Sequence, residues 1–310
     1  MKFRAVWGLM GLMLFTLATA VGCSTEPAKA DDQTNSDEPK LIKVLIVDGQ
    51  NNHDWKATTP VMKRALLDAG RFSVDVATSP HFRADMSGFK PEFSKYDVVL
   101  SNYNGDAWPE ETQQAFVDYV KNGGGFVCVH AANNSFGDWE EYNKIIGLGG
   151  WGGRNEKSGP YVYYDKNDKL VTDTIAGPGG GHGPQHDFLI AIRDAEHPIT
   201  EGMPRSWLHF KDELYDKLRG PAANMRVLAT AYAPKDKGGR DLHEPMMMTI
   251  DYGEGRVFHT PMGHADYSMK CVGFVTTLRR GCEWAATGEV TIPIPENFPT
   301  ATETSSYKYE

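Results

Sequence analysis

The period of hydrophobic and polar positions changes several times along the chain, and each change marks an element. Residues 43–48 (KVLIVD), 96–101 (YDVVLS) and 125–130 (GFVCVH) are short apolar runs rich in β-branched side chains, as expected for strands buried on both faces of a parallel sheet. Residues 72–77 read as a further strand. Between these runs the pattern becomes helical. One helix is expected to start at Thr59-Pro60, with proline at the first helical position, and to run to Ala69-Gly70. A second covers 110–121, entered through Trp108-Pro109 with Glu110 and Glu111 in its first turn, and closed by Asn122-Gly123-Gly124-Gly125. A last apolar helix is expected over 268–286. Strand–helix alternation of this kind implies right-handed crossovers and a doubly wound, mostly parallel sheet. Past Gly147 the pattern loosens. Residues 149–183 are rich in glycine and polar side chains and long enough for functional loops or a lid. Strands follow at 187–192, 225–231 and 246–252, the last joined through Gly253-Glu254-Gly255 to 256–260 as a hairpin.

The two ends differ from this middle. Lys2 and Arg4 precede the apolar stretch 5–22, which suits a signal peptide, and Thr19-Ala20-Val21-Gly22-Cys23 resembles a bacterial lipobox. Residues 1–22 therefore read as a signal peptide and Cys23 as the lipidated first residue of an exported, membrane-anchored lipoprotein. Because Ser24 rather than aspartate follows Cys23, the outer membrane, periplasmic side, is the expected location. Residues 23–40 carry no large apolar side chain and read as a disordered tether. Residues 41–295 form the single α/β domain, and 296–310 a polar, loose tail. The formal net charge of −9, with no basic stripe against it, argues against nucleic acid as a partner and favours a neutral small molecule.

Cys128 lies inside a strand, and Cys271 and Cys282 fall in the last helix. If that helix is continuous, eleven residues separate the two thiols by about 16 Å, too far for a disulfide. All three read as buried apolar thiols.

The candidate chemistry sits at strand ends. In an open α/β sheet ligands bind outside the carboxyl ends of the strands. His130 ends the strand at 125–130 and is followed by Ala131-Ala132, small residues that permit a sharp turn. Asn52, His53 and Trp55 follow the first strand onto the same edge. Asp212, Glu213 and Tyr215 form a further group, in which the two carboxylates read equally well as a structural ion-pair partner or as site residues. Trp55, Trp139, Trp151 and Tyr215 could stack on sugar faces, although tryptophan serves packing first. His182, His186 and His259 have ligand-like spacing among ten histidines, but spacing alone does not show convergence on a metal.

Seven segments resemble the ThuA-like (trehalose-utilization) family in its own order: Asn52-His53-Asp54; Gly123-Gly124-Gly125 through His130-Ala131-Ala132; His197-Pro198-Ile199-Thr200; Asp212-Glu213-Leu214-Tyr215; Gly253-Glu254-Gly255-Arg256-Val257-Phe258; Gly263-His264; and Arg280-Gly281-Cys282-Glu283-Trp284-Ala285-Ala286. The resemblance implies a flavodoxin-like fold of the class I glutamine amidotransferase type and a link to carbohydrate metabolism. The departures from the amidotransferase pattern matter more. Where that class carries a nucleophilic cysteine on a strand–helix elbow, this chain has His130, with Cys128 two residues earlier inside the strand. His264-Ala265-Asp266 stands where His-Pro-Glu is expected. A cysteinyl thioester needs a thiolate beside a base, so amidotransferase activity is rejected. What is left is proton transfer by His130, His264, Glu213 and Asp266 on a carbohydrate, a keto sugar or glycoside, with Asn52, His53, Trp55, Asp212 and Tyr215 as substrate contacts. The rival readings are a non-catalytic sugar-binding or scaffold protein and a metal-dependent hydrolase. No cofactor is required by the first two, and the third needs a divalent metal.

Overall fold

The computed structural model describes residues 40–309. The signal segment, Cys23 and the tether before Lys40 lie outside the described residues. The strands are β1 (Ile42–Asp48), β2 (Phe72–Thr78), β3 (Val98–Ser101), β4 (Gly125–Val129), β5 (Tyr161–Tyr164), β6 (Leu170–Asp173), β7 (Gly181–His182), β8 (His186–Ile192), β9 (Ser206–Asp212), β10 (Tyr215–Asp216), β11 (Met225–Ala233), β12 (Leu242–Tyr252) and β13 (Gly255–Thr260). The helices are α1 (Trp55–Leu67), α2 (Glu110–Lys121), α3 (Glu140–Ile146), α4 (Asp266–Met269) and α5 (Val272–Thr287).

The main sheet runs β2-β1-β3-β4-β13-β12-β11-β8-β9, with β5 and β6 attached beside β12. Pairing is parallel from β2 to β13 and antiparallel from β13 to β9. The parallel part is the flavodoxin-like doubly wound core expected from the alternating pattern. The expected hairpin is present, with Tyr252 opposite Gly255.

Strand β1 shows why the parallel strands read as unbroken apolar runs. Ile42, Val44 and Ile46 face one helical layer with Val61, Met62 and Leu66 of α1 and Leu278 and Cys282 of α5. Leu45 and Val47 face the other, with Phe116, Val117 and Val120 of α2 and Ile145 and Ile146 of α3. From Val44 to Val47 the strand is covered on both faces and has no position to spare for a polar residue, while Lys43 near its start is exposed; each buried apolar side chain contributes about 1.5–3 kcal/mol.

Three local expectations change. Helix α1 begins at Trp55, because the Asp54 side chain accepts a hydrogen bond from Ala57 N at 3.2 Å and caps the helix there. Pro60 then lies inside the helix and not at its first position. The last helix is broken at Cys271, where the backbone bridges to Ser306 and Val272 N donates to Ser305 O at 2.8 Å. Cys271 and Cys282 therefore do not share one helix, although both are buried. The same contacts tie down the polar tail expected to be loose: Leu208 N donates to Thr300 O, and Phe298 and Tyr309 pack on the core.

Candidate functional site

Strand β4 stops at Val129, and His130 follows with a φ of +47°, in the left-handed region where a side chain other than glycine is strained. The strain turns the imidazole over the carboxyl edge of the sheet. Its Nδ1 lies 2.7 Å from Pro261 O, and since a carbonyl only accepts, Nδ1 carries the proton. Nε2 keeps its lone pair and accepts from the Tyr215 hydroxyl at 2.9 Å.

His264 comes from the neighbouring strand end. After β13 the chain turns through Gly263, whose φ of +111° needs glycine, and presents two backbone N–H groups to Asp212. Asp212 Oδ2 accepts from Gly263 N at 2.7 Å and Oδ1 from His264 N at 2.9 Å. The same carboxylate accepts from Glu213 N at 2.8 Å and contacts His209 Nε2 at 2.7 Å. Asp212 thus fixes His264 and Glu213 together, and Glu213 Oε2 lies 3.1 Å from His264 Nδ1 and 3.7 Å from His130 Nε2.

His53 completes the group from the loop after β1. Asn51 Oδ1 accepts from His53 N, Asn51 Nδ2 donates to Asn102 O, and Asn102 Nδ2 donates to Thr58 and Thr59, so a ladder of amides holds the loop. The His53 ring centroid stands 4.7 Å from that of His130 and 4.5 Å from that of His264. One ligand-type atom each from His53, His130, Glu213 and His264 can be chosen with all four within 4.8 Å of one another. A cavity of about 330 Å³ adjoins them, lined also by Asn52, Asn104, Asn134, Trp151, His182 and Tyr215. Its wall is built by the pairing of β7 with β10, which sets His182 opposite Tyr215, and by Trp151, whose ring centroid is 4.7 Å from that of Tyr215.

The electrostatics follow from crowding. Burial, with His130 and His264 close by, lowers His53 to about 4. Burial also lowers His130, against the opposing pull of Asp212. Burial works against the charged form of His264 as well, but Glu213 beside it wins and raises it above the ordinary imidazole value. Burial favours a protonated Glu213, yet His264 and His130 outweigh it and hold the carboxyl below its usual range. Burial raises the Tyr215 phenol, with Glu213 adding to the effect, so it stays a proton donor. Glu213 Oε2 and His264 Nδ1 are buried and find no hydrogen bond beyond their own 3.1 Å contact. Two imidazoles kept neutral by burial, a third that would give up its proton on ligation, and an ionised carboxylate are the donor set that suits a divalent transition metal.

Residues 43–285 match the ThuA family, described as trehalose utilisation. The chain belongs to the ThuA family. A solved ThuA-like protein from Parabacteroides merdae is 51% identical, covering 86% of this chain and 98% of its own, with a TM-score of 0.84. A second ThuA-like protein, from Bacteroides uniformis, shares the fold at 22% identity and a TM-score of 0.53, covering 81% of this chain and 93% of its own. No curated protein matches this chain.

In this ThuA-family domain several expected site residues take other places. Asp266 does not orient His264: its carboxylate bonds Lys270 Nζ at 2.6 Å one helical turn on, and Glu213 takes the role expected of it. Asp212 is fully buried and cannot touch a substrate; it positions the residues that can. Trp55 lines an adjoining cavity and not the one beside the histidines. Of the three loosely spaced histidines, His259 is buried beneath the sheet edge between Ile146 O and Asn133, and His186 bonds Pro184 O. Only His182 reaches the site, 3.7 Å from Glu213 Oε1. Cys128 is fully buried with its thiol pushed up by burial, which fits the loss of nucleophile chemistry. Asn104 and Asn134 escaped the reading of the sequence. Both follow strand ends on the active edge, after β3 and β4, and that position was the signal available.

Proposed function

We propose that this domain is an enzyme that holds a divalent transition metal on His53, His130, His264 and Glu213 and acts on a carbohydrate, a keto sugar or glycoside. The observation that carries the reading is the convergence of three imidazoles and one carboxylate within 4.8 Å. Three or four converging ligands of this kind are what a metal site requires. Such an ion, when bound, acts as a Lewis acid on a sugar carbonyl or hydroxyl oxygen. The chain's own residues supply the rest. Asn52, Asn104 and Asn134 offer amides to sugar hydroxyls, and Trp151 offers a ring to a sugar face. His182, at the rim and partly exposed, can accept a proton, and the Tyr215 hydroxyl can donate one. The family's description as trehalose utilisation supports a carbohydrate substrate.

A second reading rests on the 3.1 Å contact of His264 with Glu213. In it the pair works without metal, Glu213 holding His264 charged as a general acid while neutral His130 serves as base. Metal content after purification without chelator, measured beside turnover of glucosides and their 3-keto derivatives by proton NMR, separates the two. We expect about one bound ion per chain, with turnover lost on chelation and restored by metal. Full turnover by metal-free protein would establish the second reading, and saturable sugar binding without turnover would leave a binding protein. Export and lipid attachment at Cys23 belong to the same proposal. Palmitate labelling in a bacterial host, lost in Cys23→Ala, is the expected result, and labelling that survives the substitution would refute it.

A further inference from the structure

Beside the cavity at the histidines lies a second one of about 410 Å³, lined by Gln50, Asn51, Trp55 and Phe82 and separated from the first by Asn52 and Asn104, which line both. Asn104 Nδ2 donates to Asn52 Oδ1 at 2.6 Å, and Asn52 Nδ2 in turn contacts His53 Nε2 at 3.1 Å. The partition is therefore a pair of amides joined to the metal-ligand set. Both volumes fall in the range of small-molecule sites, roughly 300–1,000 Å³. The outer cavity differs in chemistry from the inner one. It has two aromatic rings on its wall and no titratable side chain. Phe82 is 59% exposed, the most exposed of the large aromatic side chains among the described residues. No packing role accounts for it. A single cation lies near each ring, Lys56 by Trp55 and Arg83 by Phe82, and both cations are themselves exposed and free to swing aside.

We infer that the outer cavity is a second subsite of the same active site, and that the substrate is a two-ring glycoside whose second sugar ring rests on Trp55 and Phe82. The inference rests on the carbohydrate reading above and names the extent of that substrate. A pyranose ring has apolar faces of axial C–H groups and a polar rim, so it needs aromatic surface below and amides at its edge. The outer cavity supplies the rings, and the Asn52–Asn104 pair supplies the amides where the linking oxygen passes between the two spaces. A single sugar would fill the inner cavity and leave Phe82 bare.

The test compares methyl glucoside with the glucose disaccharides trehalose and cellobiose, and with the 3-keto forms of all three, by calorimetric titration of the full-length protein. The variants are Phe82→Ala, Phe82→Tyr and Trp55→Ala. At least one disaccharide is expected to bind about tenfold more tightly than the methyl glucoside of the same oxidation state. Phe82→Ala should remove most of that advantage while methyl glucoside affinity stays within about twofold, and Phe82→Tyr should keep it. Trp55→Ala should act in the same direction. Equal affinity for one and two rings in the wild type, or a parallel loss for both in Phe82→Ala, would overturn the second subsite and leave the carbohydrate reading intact. If none of the sugars binds, the carbohydrate reading falls and the subsite with it. Metal content, measured separately, still reports on the histidine cluster.

Discussion

The parallel strands deliver His53, His130 and His264 from positions set by the fold itself, whereas the antiparallel strands deliver Glu213, Tyr215 and His182 from turns and a long loop. In the parallel half the strand ends are held on both sides by neighbours and helices, and the three imidazoles arrive on one edge because all such strands end there. The antiparallel half has no such rule. It uses buried charge instead: Asp212, His209, Asp216, Glu244 and Arg219 are all within the protein there. Specific polar contacts, ion pairs such as His209–Asp212 and Arg240–Glu244 and the hydrogen bonds of Arg219 to backbone carbonyls, replace topology as the means of placement, and they are easier to break one at a time.

Asp212→Ala is the sharpest way to break the comparison. The carboxylate accepts three backbone N–H groups and faces His209, which Asp212 and Cys271 raise to about 10 in spite of its burial. Removing it strands a buried charge and three donors, and breaking a buried pair this way costs about 3–5 kcal/mol. Chemical denaturation should show that loss. Metal uptake should fall too, since His264 and Glu213 lose their common anchor. A fall in stability below about 1 kcal/mol would mean the two halves are not joined through Asp212.

Tyr215→Phe removes one hydroxyl from the antiparallel side and leaves the ring. If that hydroxyl donates the proton, turnover should fall by about a hundredfold or more with little change in the melting temperature. Unchanged turnover would move the acid role to His182.

The contrast also explains what the sequence disclosed. His130 was visible because a β-branched run ended on it and small residues followed, a local pattern with a single structural outcome. His264 and Glu213 were visible through the family's segments. Their pairing was not, because β9 and β13 meet the site through a contact more than fifty residues long, between Asp212 and the turn at Gly263. Proximity in sequence pointed instead to Asp266, and helix α4 turned that carboxylate toward Lys270. His53 was read as a substrate contact since nothing local shows that a strand end faces two others. The parallel core was legible throughout; of the antiparallel strands β8, β11 and β12 were placed, whereas β5, β6 and β9 were missed, and the strand order was not legible because a hairpin pattern does not specify which strand lies beside it.

Glu244 gives a smaller effect that belongs to the antiparallel half alone. It is buried on β12, and burial raises its carboxyl to about 7 despite Arg240 at 2.8 Å. A folded value above the unfolded one means the stabilising contribution is fully present below about pH 4.5 and is lost as pH rises through about 7. Between those limits the wild type should lose on the order of 1–3 kcal/mol relative to Glu244→Gln, read as the difference between their stability–pH curves. Parallel curves would show that Arg240 fully offsets the burial, so that the carboxyl titrates alike in the folded and unfolded chain.

Trp151→Ala tests the loop side of the site at its mildest. Trp151 sits in a loop with a φ of +50°, its backbone N bonded to Gly179 O at 2.8 Å, and its ring against Tyr215 and His182. A ring that only supports a sugar face binds ground state and transition state alike, so its loss raises KM and leaves kcat nearly unchanged. Stacking of this size is worth about a tenfold change in KM. A fall in kcat of the same size would mean that the ring holds Tyr215 and His182 in their working positions. In that case the antiparallel side would be as tightly organised as the parallel edge, its order resting on aromatic packing where the parallel edge relies on strand ends.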